Sequence, residues 1–206
     1  MGGELIAILG TAARATMDAA LKGRADIKRQ FLIEELSSGN LSMFDVTKND
    51  ELLSCVYQFD VAAMKGAADY KLKLMARVLR GQIEGGALTA NEFLNNAEMI
   101  AALSEEEIKL VATLYKAEKD NTTIGDFMER TEQVMLSVCA SLVPRVFADI
   151  DMMNSVAVAA QRTGLIIYTN LSFGATTLDR LVSLRTTARM AKFAEIARFE
   201  TLGLDL

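Results

Sequence analysis

The sequence predicts a mainly α-helical protein, a multi-helix bundle with one small two-stranded β-hairpin near the C-terminus. Three observations predict it. Hydrophobic residues make up 51% of the 206, yet Trp is absent and there is a single Pro. Ala, Leu and Met dominate instead, and Ala and Leu lose little freedom in a helix. Apolar residues recur at three- and four-residue spacing along most of the chain. One stretch departs from that spacing: residues 164–184, GLIIYTNLSFGATTLDRLVSL, with Ile166, Ile167, Tyr168, Thr169, Thr176, Thr177 and Val182 around Gly174. β-branched and aromatic residues flanking a glycine predict a hairpin.

Residues 3–37 read as one or two helices. Leu5, Ile8 and Leu9 share a face, Met17, Ala20 and Leu21 continue it, and Ile27, Phe31 and Leu32 follow after Gly23. SSGN at 37–40 is a loop signal. Residues 50–80 carry the strongest helical pattern, with Leu52, Leu53, Val56, Phe59 and Ala63 followed by Leu72, Met75 and Leu79. Gly66 bends or divides it. Gly81 is the expected stop, with Arg77 and Arg80 in the last turn, where cations suit the helix dipole.

Two capping boxes announce the next helices: Thr89 with Glu92, and Ser104 with Glu107. In each, the hydroxyl accepts from the third helical amide while the glutamate reaches back. KAEKDNTT at 116–123 is a polar loop, and Thr123 is the expected cap of a helix through Phe127, Val134, Met135 and Val138 that ends before Pro144. Asp149 or Asp151 caps a helix closed by Gly164. TTARMAKFAEIARF reads as a final helix with Met190, Phe193, Ala194 and Ala197 on one side. The expected organisation is an N-terminal helical part, 1–103, and a C-terminal part, 104–206, or one continuous domain. Most of the eleven Met residues are expected as core filler: Met17, Met75, Met99 and Met135 fall at core spacing.

The chemistry that is missing narrows the function. There is no histidine, so Ser-His and Cys-His nucleophile pairs are excluded, as is the commonest transition-metal ligand. No phosphate-binding glycine loop appears. Asp149-x-Asp151 can offer oxygens to Mg²⁺, but helix capping is the simpler role. The expectation is no enzyme, no cofactor and no metal. Cys55 and Cys139 are expected to be reduced thiols. Glu4 falls early, and Arg14 and Asp18 interrupt the first apolar segment. We expect neither a secretory signal nor a transmembrane span, and a cytoplasmic location.

The order of events near the C-terminus carries one resemblance. A helix ends at Gly164-Leu165-Ile166, and Asp179-Arg180-Leu181-Val182-Ser183-Leu184 and Thr186-Thr187 follow. This resembles the winged-helix module of bacterial repressors, over residues 104–200 at most. The resemblance implies a helix at 149–163 able to enter a major groove and a wing that touches the backbone. Asn154, Gln161, Arg162, Arg180, Arg185 and Arg189 are then the candidate contacts to a partner or to DNA. Between 143 and 200 the chain holds seven basic and five acidic residues, against −5 overall. Asp149 and Asp151 depart from the pattern, because carboxylates at the start of a groove-reading helix face phosphate. The reading preferred from the residues is therefore a non-enzymatic interaction or regulatory protein that self-associates through apolar helix faces. The alternative is a DNA-binding transcriptional regulator.

Overall fold

The computed structural model describes residues 2–38, 49–168 and 182–198, with residues 2–18 by backbone alone. Among these residues the protein is helical apart from one two-stranded antiparallel sheet. It divides into two compact units, Met1–Ile100 and Ala101–Leu206. No helix among the described residues is long and apolar enough to cross a membrane.

The first unit begins with α1 (Gly2–Ser37), a single helix rather than two. Gly23 lies inside it, with nothing within 4 Å of where a Cβ would sit. One interior glycine costs about 1 kcal/mol, too little to break a helix that packs on two others. Those are α2 (Asp50–Met64) and α3 (Asp69–Glu84). Ala25 and Leu32 of α1 are buried, but Ile27 is 71% exposed and does not belong to the inward face. Leu21, Phe31 and Leu36 are half-buried, and charged side chains of α1 also meet the neighbouring helices. Arg29 forks onto Asp60 of α2, with Nε 2.8 Å from Oδ1, and Asp60 is buried. Arg80 of α3 reaches Glu35 of α1 at 3.1 Å and Ser38 Oγ at 2.7 Å.

Gly66 divides α2 from α3: it takes φ +84°, the left-handed region where a Cβ is strained. Leu52, Phe59 and Ala63 of α2 are buried as the spacing predicts, whereas Leu53 is 47% exposed. α3 does not stop at Gly81. It continues to Glu84 because its last turn buries Gln82 and Ile83, and Gly85-Gly86 end it instead. α4 (Ala90–Ala102) opens on Thr89, whose hydroxyl accepts from the Glu92 amide at 3.3 Å. Its Ala90 amide donates to Glu51 of α2.

In the second unit, α5 (Glu105–Asp120) starts at a complete capping box. Ser104 Oγ accepts from the Glu107 amide at 3.1 Å, and Glu107 Oε2 accepts from the Ser104 amide at 2.7 Å. α6 (Phe127–Leu142) is capped by Asp126, not Thr123, with Oδ1 2.8 Å from the Glu129 amide. Asp is a better cap than Thr and stands next to the apolar run. α7 (Ile150–Ala160) is capped by Asp149, 2.8 Å from the Met152 amide. A 3₁₀ turn over Gln161–Thr163 leads to Gly164 at φ +68°. The strands are β1 (Ile166–Tyr168) and β2 (Leu184–Thr186), with Ile167 opposite Arg185. The final helix, α8 (Ala188–Ala197), is capped by Thr187.

The second strand thus lies later than the hydrophobic pattern suggests. Val182 precedes it, Thr186 belongs to it, and Gly174 and Asp179 fall outside the described residues. Tertiary contact decides this, because the Thr186 amide finds its acceptor on α5, at Glu118 (2.9 Å). The buried set of this unit includes Val111, Leu114, Met135, Val138, Phe147, Met153, Leu165, Ile166 and Phe193. Full burial of such a side chain is worth about 1.5–3 kcal/mol, more than an exposed ion pair, at about 0–1 kcal/mol. Met75, Met99 and Met135 are buried. The side chain of Met17 lies outside the described residues.

Burial pushes the Cys55 thiol up to about 11, and the nearby Glu51 carboxylate adds to the shift. Burial also raises Cys139, which is half-buried. The reactive form is the thiolate, so burial lowers the reactivity of both thiols at neutral pH. We expect a disulfide reagent at pH 7.5 to label Cys139 slowly and Cys55 only after denaturant is added. Rapid labelling of both thiols in native buffer would contradict this packing.

Candidate functional site

The candidate contacts cluster around the end of α7. Helix α7 is held at both ends. At its start, Asp149 caps the free amides. At its end, Arg162 donates to the Ala159 carbonyl one turn back, to the Ala102 carbonyl, and through both terminal nitrogens to Glu107. Its Nη2 lies 2.8 Å from Glu107 Oε2. Glu107 is buried, and its hydrogen bond to Arg162 raises the guanidinium's pKa, opposed by partial burial. The residue proposed from sequence as a groove contact is therefore a bidentate tie inside the unit.

The next three residues are tied to β2 and α8. Thr187 donates its amide to the Leu165 carbonyl at 2.9 Å and its hydroxyl to the Gly164 carbonyl at 2.7 Å. Arg189 donates to the Thr163 carbonyl at 2.7 Å. Gly164 supplies the left-handed residue that turns the chain from α7 into β1. Asn154 Oδ1 accepts from the Val182 amide at 3.4 Å, which fixes the approach to β2. Gln161 is half-buried, and its side-chain nitrogen and the Tyr168 hydroxyl lie buried with no hydrogen-bond partner among the described residues. Burial raises the Tyr168 pKa. Arg185 stands exposed at the middle of β2. Arg180 lies outside the described residues. Asn154, Arg162 and Arg189 are thus engaged by the chain's own groups around the junction of α7 and β1, whereas Arg185 faces a space lined by α5, α6 and β2.

What remains on the outside of α7 is apolar and acidic. Val158 is 57% exposed and Met152 44%, with Asp151, Ser155 and Ala159 also exposed. Ile167 of β1 is 40% exposed. A second feature is a cavity of about 330 Å³ between α5, α6 and β2, into which Glu118, Arg130 and Arg185 face. Both oxygens of Glu118 accept from Thr186, one from the amide and one from the hydroxyl.

Among the described residues no group of three or more His, Cys, Asp or Glu side chains is placed to hold a metal ion. Asp149 caps α7 and so is engaged locally. No protein-family model matches the chain, nor does any curated protein or solved structure.

Sequence reading singled out Glu107 as a cap but not as the partner of Arg162, and it passed over Glu118 and Arg130. The partners lie 55 positions apart for Arg162–Glu107 and 68 for Thr186–Glu118, with no local pattern to announce them.

Removing the Arg162 guanidinium leaves a buried carboxylate without its countercharge. Such a loss costs about 3–5 kcal/mol in a fully buried pair. Arg162 is 46% exposed, so we expect Arg162→Met to lower unfolding free energy by about 2 kcal/mol after that discount. In a double-mutant cycle with Glu107→Gln, the expected coupling is about 1–2 kcal/mol by chemical denaturation. Additive single effects would show that the pair does not hold the unit.

Proposed function

We propose that this is a non-enzymatic interaction protein that self-associates through the outward face of α7. The observation that carries the reading is the composition of that face: Met152, Ser155, Val158 and Ala159 exposed on one helix whose nearest arginine, Arg162, is already engaged. Exposed apolar residues grouped on one element mark contact surfaces more often than scattered ones do. Ser155 and Ala159 are small and four residues apart, so a second helix can approach closely. A second copy of the same helix, antiparallel across a two-fold axis, satisfies the face best. Val158 then meets its own counterpart region, and the helix dipoles run antiparallel.

The second reading is a DNA-binding regulator. Two points favour it: the helix–helix–strand–strand order of α6, α7, β1 and β2, which suits the winged-helix resemblance, and Arg185, exposed on β2. Against it stand the acidic start of α7 and the engagement of Arg162 and Arg189 by carbonyls and Glu107. A cytoplasmic setting agrees with either reading.

Light scattering after size exclusion, between 1 and 100 µM protein (roughly the range of ordinary self-association), is expected to give a dimer. Val158→Glu is expected to give a monomer with an unchanged circular dichroism spectrum. A wild-type monomer throughout, or a Val158→Glu dimer, overturns the first reading. For the second, fluorescence anisotropy with a random-sequence duplex across a salt series is decisive. We expect no binding even at low salt. Binding that weakens steeply with salt and is lost in Arg185→Glu would establish phosphate contacts and promote the regulator.

A further inference from the structure

The cavity between α5, α6 and β2 has features that the α7 face does not explain, and no residue of α7 lines it. Two guanidiniums face into it, Arg130 from α6 and Arg185 from β2. Neither forms an ion pair among the described residues. The one carboxylate in the lining, Glu118, forms no ion pair with them, and its oxygens accept from the Thr186 amide at 2.9 Å and from the Thr186 hydroxyl. Two arginines and that one carboxylate leave the lining a net charge of +1. Arg130 is steadied over the Phe127 ring, 5.9 Å from its centroid, which limits the freedom it would lose on binding. Val134 and Leu184 add apolar wall.

We propose that this cavity binds a small organic carboxylate, with the anion between Arg130 and Arg185 and its apolar body against Phe127, Val134 and Leu184. The charge selects the class. A monoanion neutralises the lining. A phosphate dianion reverses its charge, and a neutral ligand leaves the two cations facing each other. Guanidinium and carboxylate also match as planar two-pronged partners. At about 30 Å³ for each water-sized volume, a cavity of about 330 Å³ holds on the order of ten non-hydrogen atoms, the size of an aromatic or branched-chain acid.

Benzoate is a suitable probe, with benzyl alcohol as its uncharged counterpart and inorganic phosphate as a bare oxyanion, all at equal ionic strength with the 206-residue chain. With a dissociation constant near 1 mM (on the order of a few weak contacts), 10 mM benzoate is expected to raise the melting temperature by about 4 °C. Saturation-transfer NMR is expected to show benzoate's ring protons in contact with the protein. Benzyl alcohol and phosphate are expected to shift melting by less than about 1 °C. Arg130→Gln and Arg185→Gln are each expected to weaken benzoate about tenfold. Arg185 is exposed on its strand, so Arg185→Gln carries the test even if the α6 variant fails to fold. No benzoate shift and no saturation transfer, an equal effect of benzyl alcohol, a larger effect of phosphate, or unchanged affinity in Arg185→Gln would each overturn the proposal.

Discussion

One buried carboxylate holds three segments of the second unit together. Glu107 accepts the Ser104 amide at the start of α5 and both terminal nitrogens of Arg162 at the end of α7, and Arg162 reaches on to the Ala102 carbonyl. A carboxylate so deeply buried is costly unless it is paired and fully hydrogen-bonded. Satisfying it fixes the spacing between α5 and α7, and so fixes where Gly164 launches β1. The sheet follows: β1 sets the Leu165 carbonyl for Thr187, and Glu118 on α5 takes the Thr186 amide and hydroxyl. The two strands, three residues each, are too short to stand alone. They exist because helices on either side present the groups that complete them.

The first unit uses charge in the same way, with less burial. Its long helix α1 contributes few deeply buried apolar side chains among the described residues, Ala25 and Leu32 foremost. Arginine forks set its register instead. Arg29 on Asp60 ties α1 to α2, and Arg80 on Glu35 ties α3 to α1. Hydrogen bonding raises both guanidinium pKa values, of Arg29 through Asp60 and of Arg80 through Glu84 first and then Glu35, against the opposing effect of burial. The apolar interior, including Phe59, Leu72, Met75 and Leu79, comes mostly from α2 and α3. Directional ion pairs choose one arrangement among several that apolar contact alone would allow.

Function follows from what these networks consume and what they leave. Arginines that look free in sequence are engaged when they lie beside a carbonyl or a buried carboxylate, as Arg162 and Arg189 do. Arg130 and Arg185 lie beside a cavity and have no such partner among the described residues. The outward face of α7 is left apolar with an acidic start. Basic residues beside a pocket and apolar residues on a helix face are two chemically different surfaces.

The sequence by itself determined the helical class, the positions of most helices, the complete cap at Ser104 and Glu107, the turn at Gly164, and the buried face of α8 through Met190, Phe193, Ala194 and Ala197. These are local matters of propensity, periodicity and capping, settled within a few residues of each position. It also placed a short hairpin in the right region. Only the tertiary structure decided that α1 runs unbroken past Gly23, that α3 passes Gly81, that the second strand sits at Leu184–Thr186, and that Arg162 is a tie rather than a free contact. In each case the deciding group lies far away along the chain, in packing that offsets a glycine's cost or in a carboxylate that completes a distant donor. Interactions of that range leave no periodicity to read, because their partners are brought together by folding alone.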